Sequence, residues 1–493
     1  MSDIQIKKKN DVYLTVNSDP SIGQELVDHF SFDAPGAKFH PLYRNKLWDG
    51  KIRLFSMFTK ELYVGLLGYV EHFAEVNNYK IDYSEYVQTS DNVTLEDVKK
   101  FIDELNLSLP NGESIRDYQL DAVYRAITDG RRLLLSPTGS GKSLIIYCLL
   151  RWHEKHGRKQ IVLVPTTSLV EQMYSDFQSY SENNGWRSSE NCSRVYSGHA
   201  KTGLLPIVIS TWQSVYEMPK KFFNEFQVIY GDEAHTFKAK SLTGIMHKMT
   251  DTPYRIGTTG TLDGTKTHKL VLEGLFGSVY KVTTTRQLMD NNQLADLKIY
   301  GLVLNYPDSV RKANIKNKYP EEMDFLCGYE PRNKFIRNLA ISQKGNTLVL
   351  FQYVEKHGKL LYDMITSKVE SRKVFFVHGG TDTDQREDIR RITEKEEDAI
   401  IVASYGTFST GINIRNLHNI IFASPTKSRI RNLQSVGRGL RKGDSKEQCK
   451  LYDIGDDLSW KAKKNFTLLH MIERIKTYND EQFDYKLVKV ELE

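Results

Sequence analysis

The chain has little cysteine and no long apolar run. Its four cysteines lie far apart in 493 residues without a CxxC spacing, so neither a zinc knuckle nor a disulfide framework is supported. No stretch reaches the roughly 18 apolar residues that a membrane span needs. The N-terminus lacks the apolar segment and small-residue cleavage site of a secretory signal. We therefore expect a cytoplasmic protein.

A strong charge of either sign is also missing. The chain has 68 Lys and Arg against 62 Asp and Glu, a net charge of +6. This mild positive bias permits a polyanionic partner without requiring one. Hydrophobic residues make up 40% and charged residues 26%, which is ordinary for globular domains and excludes a disordered or membrane class. At roughly 100–200 residues per domain, the length predicts three or four domains.

Residues 136–143 read Ser-Pro-Thr-Gly-Ser-Gly-Lys-Ser, between an apolar run and an apolar helical pattern. Gly139 and Gly141 allow successive backbone N–H groups to converge on one anion at a helix N-terminus. Lys142 would reach the β- and γ-phosphates of ATP, and Ser143 a Mg²⁺ ion. The usual first glycine of this motif is a serine here. The predicted phosphate contacts are Thr138, Gly139, Ser140, Gly141, Lys142 and Ser143.

A second motif, Asp-Glu-Ala-His at residues 232–235, follows another apolar strand. Phosphoryl transfer needs one carboxylate near the metal and one that orients and deprotonates water, roles that suit Asp232 and Glu233. His235 is a candidate relay to the next domain, or a structural histidine. Thr259 and Thr261, in a hydroxyl-rich stretch after the next strand, are candidates for the same coupling; the alternative is a turn.

Strands alternate with helices in two parts of the chain, which predicts two parallel sheets with ligands at the strand C-terminal ends. Between them, from about 293 to 331, the pattern weakens, which predicts a linker followed by the start of the second part. The second part has no phosphate loop. It has Arg438 and Arg441, one helical turn apart, which would clamp a γ-phosphate as arginine fingers do, or belong to an Arg/Gly-rich surface loop. A helix over 458–478 and a strand over 483–492 end the chain.

Basic and aromatic residues interleave between residues 38 and 58 of a small N-terminal α/β module. Basic groups neutralise phosphates while aromatic faces stack on bases, so Lys46, Trp48 and Lys51 are candidate nucleic-acid contacts. The alternative is that Trp48 and Phe55 form the core of this module and that the basic residues are its solvated rim.

The ordered motif set from Ile115 to about Lys442 resembles the superfamily 2 helicases and translocases. With residues 39–51 included, the chain is similar to the recombination helicases of T-even phages. The resemblance implies an α/β fold with two RecA-like parallel-sheet domains in tandem, a small N-terminal α/β domain and a short C-terminal helical extension. The expected segments are 1–90 (nucleic-acid binding), 91–112 (helical linker), 113–290, 291–455 and 456–493.

The resemblance also implies residue roles. Arg116 and Gln119 would recognise adenine, while Gln434, Arg438 and Arg441 would complete an ATP site built on Lys142, Ser143, Asp232 and Glu233. The polynucleotide contacts that it implies are Thr166, Thr167, Ser210, Thr211, Phe351, Gln352, Thr407 and Ser409. Contacts with phosphates carry no sequence information, so the protein should read the shape of its substrate.

The implied function is an ATP- and Mg²⁺-dependent DNA helicase that migrates junctions, regresses forks and dissociates R-loops and D-loops in recombination, repair and replication. The implied partners are branched DNA, single-stranded DNA, RNA–DNA hybrid and recombination or single-strand-binding proteins. We expect a monomer, in the host cytoplasm if the chain is phage-encoded. The alternatives are an RNA or hybrid helicase and an ATP-gated annealing module. A restriction-type translocating subunit would need a nuclease cluster, and the sequence offers none outside the ATP motifs.

Overall fold

The computed structural model describes residues 2–109, 112–196, 202–411, 414, 416–424, 426, 428–440 and 448–492. For residues 238, 383–384, 409–411, 429–431 and 438 it describes the backbone alone. The chain divides into two compact units. One comprises Met1–Ser136 with Ser140–Thr283, and the other Pro137–Gly139 with Thr284–Glu493. Within the described part of the chain, no helix is long and apolar enough to cross a membrane.

The first unit begins with a small α/β module. Its four-stranded sheet has the order β5-β2-β1-β6, and β3 pairs with β4 in a separate ribbon. Alternate residues of β1 and β2 point into one core, which also buries Phe30 and Phe55. The strands are β1 (Ile4–Lys8), β2 (Tyr13–Ser18), β3 (Ser31–Asp33), β4 (Lys51–Arg53), β5 (Glu61–Tyr63) and β6 (Ile81–Glu85). The helices are α1 (Pro20–His29), α2 (Pro41–Arg44) and α3 (Leu67–Asn77).

The segment after this module forms helix α4 (Leu95–Glu104), where the sequence predicts a helix. Thr94 caps its N-terminus: the Thr94 hydroxyl accepts the Asp97 N–H, and the Asp97 carboxylate accepts the Thr94 N–H. Val98, Phe101 and Ile102 face the core of the first seven-stranded sheet. The α4 segment is therefore packed onto the rest of its unit.

The first seven-stranded sheet has the order β13-β7-β12-β11-β8-β10-β9, and all its neighbouring strands are parallel. Its strands are β7 (Arg131–Leu135), β8 (Gln160–Val164), β9 (Cys192–Val195), β10 (Ile207–Thr211), β11 (Val228–Asp232), β12 (Tyr254–Thr259) and β13 (Val279–Lys281). Its helices are α5 (Asp117–Asp129), α6 (Lys142–Lys155), α7 (Thr167–Tyr180), α8 (Ser188–Asn191), α9 (Trp212–Val215), α10 (Lys220–Phe223), α11 (Lys240–Lys248) and α12 (Lys266–Phe276).

The second unit contains a seven-stranded parallel sheet with the order β16-β17-β15-β18-β19-β14-β20. Its strands are β14 (Asp296–Asn305), β15 (Thr347–Phe351), β16 (Val374–Val377), β17 (Ile400–Ser404), β18 (Asn419–Phe422), β19 (Gln448–Asp457) and β20 (Tyr485–Glu491). Its helices are α13 (Thr285–Asp290), α14 (Asp308–Asn314), α15 (Tyr319–Gly328), α16 (Glu330–Ser342), α17 (Lys359–Thr366), α18 (Thr383–Lys395), α19 (Tyr405–Gly411), α20 (Arg429–Gly439) and α21 (Phe466–Asp480).

The two seven-stranded sheets have the same topology. When the strands of each unit are numbered from its own first strand, both sheets read 3-4-2-5-6-1-7 across. Alternating strands and helices produce this parallel arrangement, because each crossover helix returns the chain to the same end of the sheet. The predicted fold class, two RecA-like parallel-sheet domains with a small N-terminal α/β domain, is confirmed.

Two sequence predictions about the second unit are wrong. The stretch from 293 to 331 contains strand β14, which pairs with both β19 and β20, and it is therefore not a linker. The terminal helix begins at Phe466 rather than near 458. The reason is a distant cap: the buried Glu322 carboxylate accepts the backbone N–H groups of Phe466 and Thr467 at 3.0 and 2.8 Å. The predicted last strand is present as β20.

Candidate functional site

The Gly-rich loop lies between β7 and α6, as its sequence predicts. Gly139 and Gly141 both have positive φ, +86° and +83°, a backbone conformation that side chains with a Cβ rarely adopt. At Gly141 an added Cβ would also collide with the side-chain amide nitrogen of Gln119. Helix α6 starts directly after this loop at Lys142. The loop and the N-terminal turn of α6 therefore form the arrangement that binds phosphate groups.

The serine that replaces the usual first glycine stabilises this loop internally. Ser136 and Ser140 are fully buried, and their hydroxyl oxygens are 2.5 Å apart. The Ser136 N–H donates to the Thr259 carbonyl at 2.8 Å, and Lys142 Nζ donates to the Ser136 carbonyl at 3.2 Å. Only the contact with Ser140 depends on the serine side chain, since the bonds to Thr259 in strand β12 and from Lys142 use the backbone of residue 136.

Gln119 and Arg116 lie beside the same loop. Gln119 Nε2 donates to the Ser140 carbonyl at 2.8 Å, while Gln119 Oε1 accepts the Arg116 N–H at 3.0 Å. Tyr118 Oη donates to the Ser140 carbonyl at 3.3 Å. Since Gln119 is buried and Arg116 is partly exposed, the glutamine anchors the loop and the arginine remains accessible at its edge.

Asp232 is the last residue of β11 and is buried. Its carboxylate accepts a hydrogen bond from the Thr258 hydroxyl at 2.8 Å. Burial raises the pKa of Asp232, the neighbouring Glu233 raises it further, and Lys142 opposes both effects. Glu233 has φ +50°, a left-handed conformation that costs a non-glycine residue on the order of 1–3 kcal/mol. Such strain is common where a side chain is held for a function.

The coupling candidates form a chain of hydrogen bonds within the first unit. His235 Nδ1 lies 3.0 Å from Thr259 Oγ1 and 3.3 Å from Glu233 Oε2. The Thr259 hydroxyl donates to the Thr261 carbonyl at 3.0 Å, so it is free to accept from His235. The Thr259 carbonyl accepts the Ser136 N–H. Thr259 therefore connects the acidic motif with the phosphate loop, and Thr261 takes part through its backbone.

Three further residues at this site escaped the sequence analysis. Thr258 bonds Asp232, His268 Nε2 lies 3.0 Å from the His235 carbonyl, and Tyr180 Oη lies 2.8 Å from Ser143 Oγ. Thr258 belongs to the hydroxyl-rich stretch that the sequence indicated. Nothing in the sequence near His268 or Tyr180 marks either residue, because both reach the site through the fold.

The predicted polynucleotide contacts differ in accessibility. Thr167, at the start of α7, is exposed, and Thr166 caps that helix through its hydroxyl. Ser210, Thr211 and Thr407 are buried, and their hydroxyl groups bond within the protein.

The Phe351 side chain is buried and stacks on Phe376 with ring centroids 5.6 Å apart. The ring is therefore not available for stacking with a base, and the predicted polynucleotide contact of Phe351 stays a prediction. The neighbouring Gln352 is half-buried, with its N–H bonded to Ser424 Oγ at 3.1 Å.

In the basic and aromatic stretch of the N-terminal module, some side chains belong to the core and others are exposed, as a nucleic-acid contact requires. Phe55 is 3% exposed and belongs to the core, whereas Phe39 and Phe58 are 67% and 97% exposed. Trp48 is half-buried, and its Nε1 donates to the Lys51 carbonyl at 2.9 Å. Lys46 and Lys51 are exposed. This segment thus presents accessible cations and aromatic rings on one small module.

In the second unit, the half-buried Gln434 lies on α20. The Arg438 and Ser409 side chains and the whole of Arg441 lie outside the described residues, so their predicted roles stay predictions.

The oxygen groups at the first sheet fit a magnesium ion. Mg²⁺ prefers oxygen ligands and is usually held by one or two carboxylates together with phosphates and waters. A buried carboxylate with a raised pKa, such as Asp232, gains most from a divalent cation. Among the described residues, no group of three or more His, Cys, Asp or Glu side chains is placed to hold a metal. The Asp232 carboxylate and the Ser143 hydroxyl are the oxygen groups that could hold a cation bound together with a nucleotide.

Three family models match the chain in order. The N-terminal model of the DNA helicase UvsW matches residues 3–84. The model of the type III restriction enzyme res subunit matches residues 113–264, and the helicase conserved C-terminal domain matches residues 331–443.

The chain is similar along its whole length to one curated protein of phage T4. The ATP-dependent DNA helicase uvsW is 34% identical over 99% of this chain and 100% of its own length. The crystal structure of T4 UvsW covers 100% of both chains with 32% identity and a TM-score of 0.52. A more distant relative, the DNA 3'-5' translocase XPB2 of Sulfurisphaera tokodaii, is 23% identical over 67% of this chain and 79% of its own.

Proposed function

The chain belongs to the UvsW family of ATP-dependent DNA helicases, and from this premise we propose that it remodels branched DNA. It uses ATP and acts on nucleic acid. The finer activities that we propose are junction migration, fork regression and the dissociation of R-loops and D-loops. The observation that carries this proposal is the hydrogen-bonded chain from the phosphate loop through Thr259 to His235, in a unit that also carries a basic, aromatic N-terminal module.

The residues at the phosphate loop take separate roles in ATP hydrolysis. The backbone N–H groups of residues 138–143 and the Lys142 ammonium would bind the phosphates. Gln119 and the accessible Arg116 would recognise the adenine, and Gln119 also bonds the Ser140 carbonyl of the loop. Glu233 would orient and deprotonate the attacking water. Arg438 and Arg441 would stabilise charge on the γ-phosphate, with Gln434 beside them.

Ser143 and Asp232 would hold Mg²⁺, which when bound neutralises charge on the phosphate oxygens. The protein itself contributes the two oxygen ligands, Ser143 Oγ and a carboxylate oxygen of Asp232. Thr258 holds one oxygen of Asp232 through its hydroxyl.

His235, Thr259 and Thr261 would transmit the state of the ATP site to the bound polynucleotide. Support comes from the hydrogen bonds that Thr259 makes on both sides, to His235 through its hydroxyl and to Ser136 through its carbonyl. A change at the phosphate loop therefore reaches His235 through one residue. The candidate phosphate contacts on the polynucleotide side are Thr166, Thr167, Ser210, Thr211, Phe351, Gln352, Thr407 and Ser409.

The N-terminal module would bind the branch point. The exposed Lys46 and Lys51 would neutralise phosphates, and Trp48, together with the exposed Phe39 and Phe58, would offer faces for unpaired bases. We further propose the segments 1–90, 91–112, 113–290, 291–455 and 456–493 as functional domains. The proposed setting is the host cytoplasm, with a monomer acting alongside recombination and single-strand-binding proteins.

Strand separation tests this proposal directly. A forked DNA, a linear duplex and an RNA–DNA hybrid with matched overhangs are compared at one salt concentration, because phosphate contacts make affinity strongly salt-dependent. We expect the forked DNA to be unwound faster than the linear duplex. Equal unwinding rates on the fork and the linear duplex would contradict the branched-DNA proposal. Faster unwinding of the RNA–DNA hybrid than of the forked DNA would favour an RNA-directed helicase. Annealing that survives Glu233→Gln would favour an annealing module.

The role of the N-terminal module is tested by a triple variant, Lys46→Ala, Trp48→Ala and Lys51→Ala. We expect weaker binding of branched DNA with unchanged ATP hydrolysis in the absence of DNA, because these residues lie far in sequence from the ATP motifs. Circular dichroism controls for folding. A folded variant that binds branched DNA normally would contradict the proposed role, and an unfolded variant would show that Trp48 is a core residue.

A further inference from the structure

Tyr180 reaches the ATP site from the far end of α7. Its Oη lies 2.8 Å from Ser143 Oγ, although the two residues are 37 positions apart. Ser143 lies in the first turn of α6 and is the hydroxyl that would bind Mg²⁺. A phenol thus contacts the one side-chain oxygen that the phosphate loop contributes to the metal.

The fold holds this phenol in place. The Tyr180 ring is half-buried and packs on Tyr147, with ring centroids 5.6 Å apart. Its carbonyl accepts the Ser108 N–H at 3.0 Å, which ties the end of α7 to the segment after α4.

The chemistry of a serine ligand explains what this contact would do. A hydroxyl has one proton, and when a lone pair of its oxygen faces a cation the proton must point elsewhere. Tyr180 Oη offers an acceptor for that proton on the side where the phenol lies. The geometry allows either hydroxyl of this pair to donate, and a cation on the Ser143 oxygen would favour Ser143 as the donor and Tyr180 Oη as the acceptor.

We propose that Tyr180 is a positioning residue of the ATP site. Its phenol oxygen accepts a hydrogen bond from the Ser143 hydroxyl and thereby orients a lone pair of the Ser143 oxygen toward the magnesium ion. The proposal rests on the assignment of Ser143 as a magnesium ligand. It adds an element outside the recognised motifs. In this account the end of α7, and through it the segment that follows α4, contributes to metal affinity.

The test measures equilibrium binding of a fluorescent ADP analogue to the full chain over a range of Mg²⁺ concentrations. Tyr180→Phe retains the ring on Tyr147 and removes only the hydroxyl. Loss of one hydrogen bond of ordinary strength predicts an increase of about 3- to 10-fold in the Mg²⁺ concentration at half-saturation. Binding measured in EDTA should not change, since the phenol does not contact the nucleotide in this account.

Tyr174→Phe is the matched control, because Tyr174 lies on the same helix, with its ring stacked on Arg194, away from Ser143. It should leave the Mg²⁺ dependence unchanged, and melting temperatures confirm that each variant is folded. An unchanged or lowered Mg²⁺ requirement in folded Tyr180→Phe would overturn the proposal. A lowered requirement would mean that the phenol competes with the metal for Ser143.

Ser143→Ala separates this inference from the assignment on which it rests. We expect Ser143→Ala to raise the Mg²⁺ requirement and Tyr180→Phe to add nothing in that background, because Tyr180 would act only through Ser143. If Ser143→Ala leaves the Mg²⁺ dependence unchanged, the magnesium assignment of Ser143 fails. If Ser143→Ala has its effect and Tyr180→Phe still adds its own, Tyr180 acts by another route and the inference fails.

Discussion

The first strand of each seven-stranded sheet, β7 and β14, lies beside the sixth strand, but the two strands end differently. After β7 the chain forms a Gly-rich loop and begins α6 at Lys142. After β14 it continues as Tyr306 and Pro307, directly into α14. Tyr306 is buried and donates to Asp456 at 2.7 Å. One strand order is therefore followed by the proposed phosphate-binding loop after β7 and by a closed polar contact after β14.

The buried carboxylates of the two units also differ in their partners. Asp456 is bound by the fully buried Arg332 at 2.7 Å, and Asp453 by the fully buried Arg474 at 2.7 Å. Asp232 in the first unit has a hydroxyl partner, Thr258, and no ion pair among the described residues. Removing one partner of a buried ion pair is costly, whereas a carboxylate without an ion pair remains available to a cation. From this contrast we propose a catalytic role for the first sheet and a structural role for the buried charges of the second.

Glu233→Gln should have the largest effect on activity. A general base typically contributes 10²- to 10⁴-fold, so we expect steady-state ATP hydrolysis to fall by about 100-fold or more with little change in melting temperature. Glu225→Gln, at an exposed position of the same unit, is the control and should hydrolyse ATP normally. Full ATP hydrolysis by Glu233→Gln would contradict the catalytic role proposed for the first sheet.

Arg474→Met should have the largest effect on stability. It leaves Asp453 buried without its cation, and it also removes a hydrogen bond to the Thr426 carbonyl. Breaking a buried ion pair costs about 3–5 kcal/mol, which urea unfolding measures. The exposed pair Lys476–Glu473 on the same helix gives the control, since Lys476→Met should cost less than about 1 kcal/mol. Similar losses in the two variants would contradict the structural role of Arg474.

Much of the first sheet's site is readable from the sequence because its groups are neighbours in the chain. Lys142 and Ser143 follow their glycines, and Asp232 and Glu233 end one apolar strand. The pairs of the second sheet are not readable, since Arg332 and Asp456 are 124 residues apart and meet only when α16 packs on β19. The burial of Phe351 and the Glu322 cap of α21 depend in the same way on contacts between distant segments.

Asp232→Asn should stabilise the first unit while abolishing activity. Burial disfavours the charged carboxylate, and an amide oxygen can still accept the Thr258 hydrogen bond, so we expect a gain on the order of 1 kcal/mol. A raised pKa in the folded state means that stability is present below the unfolded value of 3.8 and is lost as the pH rises through the folded pKa. The gain over wild type should therefore grow as the pH rises from about 4, measured by urea unfolding. If Asp232→Asn is less stable than wild type, the claim that the Asp232 charge is buried without compensation is contradicted.

The smallest expected effect concerns a feature that the two units share. The first unit buries His153 and the second buries His357, and burial lowers the pKa of each from 6.5 to about 3. A lowered pKa in the folded state means that stability is present above 6.5 and falls as the pH drops toward 3. Each histidine should contribute a loss of up to about 1.4 kcal/mol per pH unit below 6.5. His153→Gln and His357→Gln should each flatten the acid side of the unfolding curve by a similar amount, and an unchanged slope would contradict the neutral buried state.

Steady-state ATP hydrolysis with and without forked DNA tests most directly the claim that the first sheet carries the chemistry of a DNA-dependent motor. Wild type and Lys142→Ala are compared at equal protein and salt concentrations. We predict that forked DNA stimulates hydrolysis by wild type and that Lys142→Ala remains folded but hydrolyses ATP at least about 100-fold more slowly with or without DNA, because its loop lacks the phosphate-binding cation. A wild-type rate of ATP hydrolysis that does not rise with forked DNA would contradict the account, and so would a normal rate in Lys142→Ala.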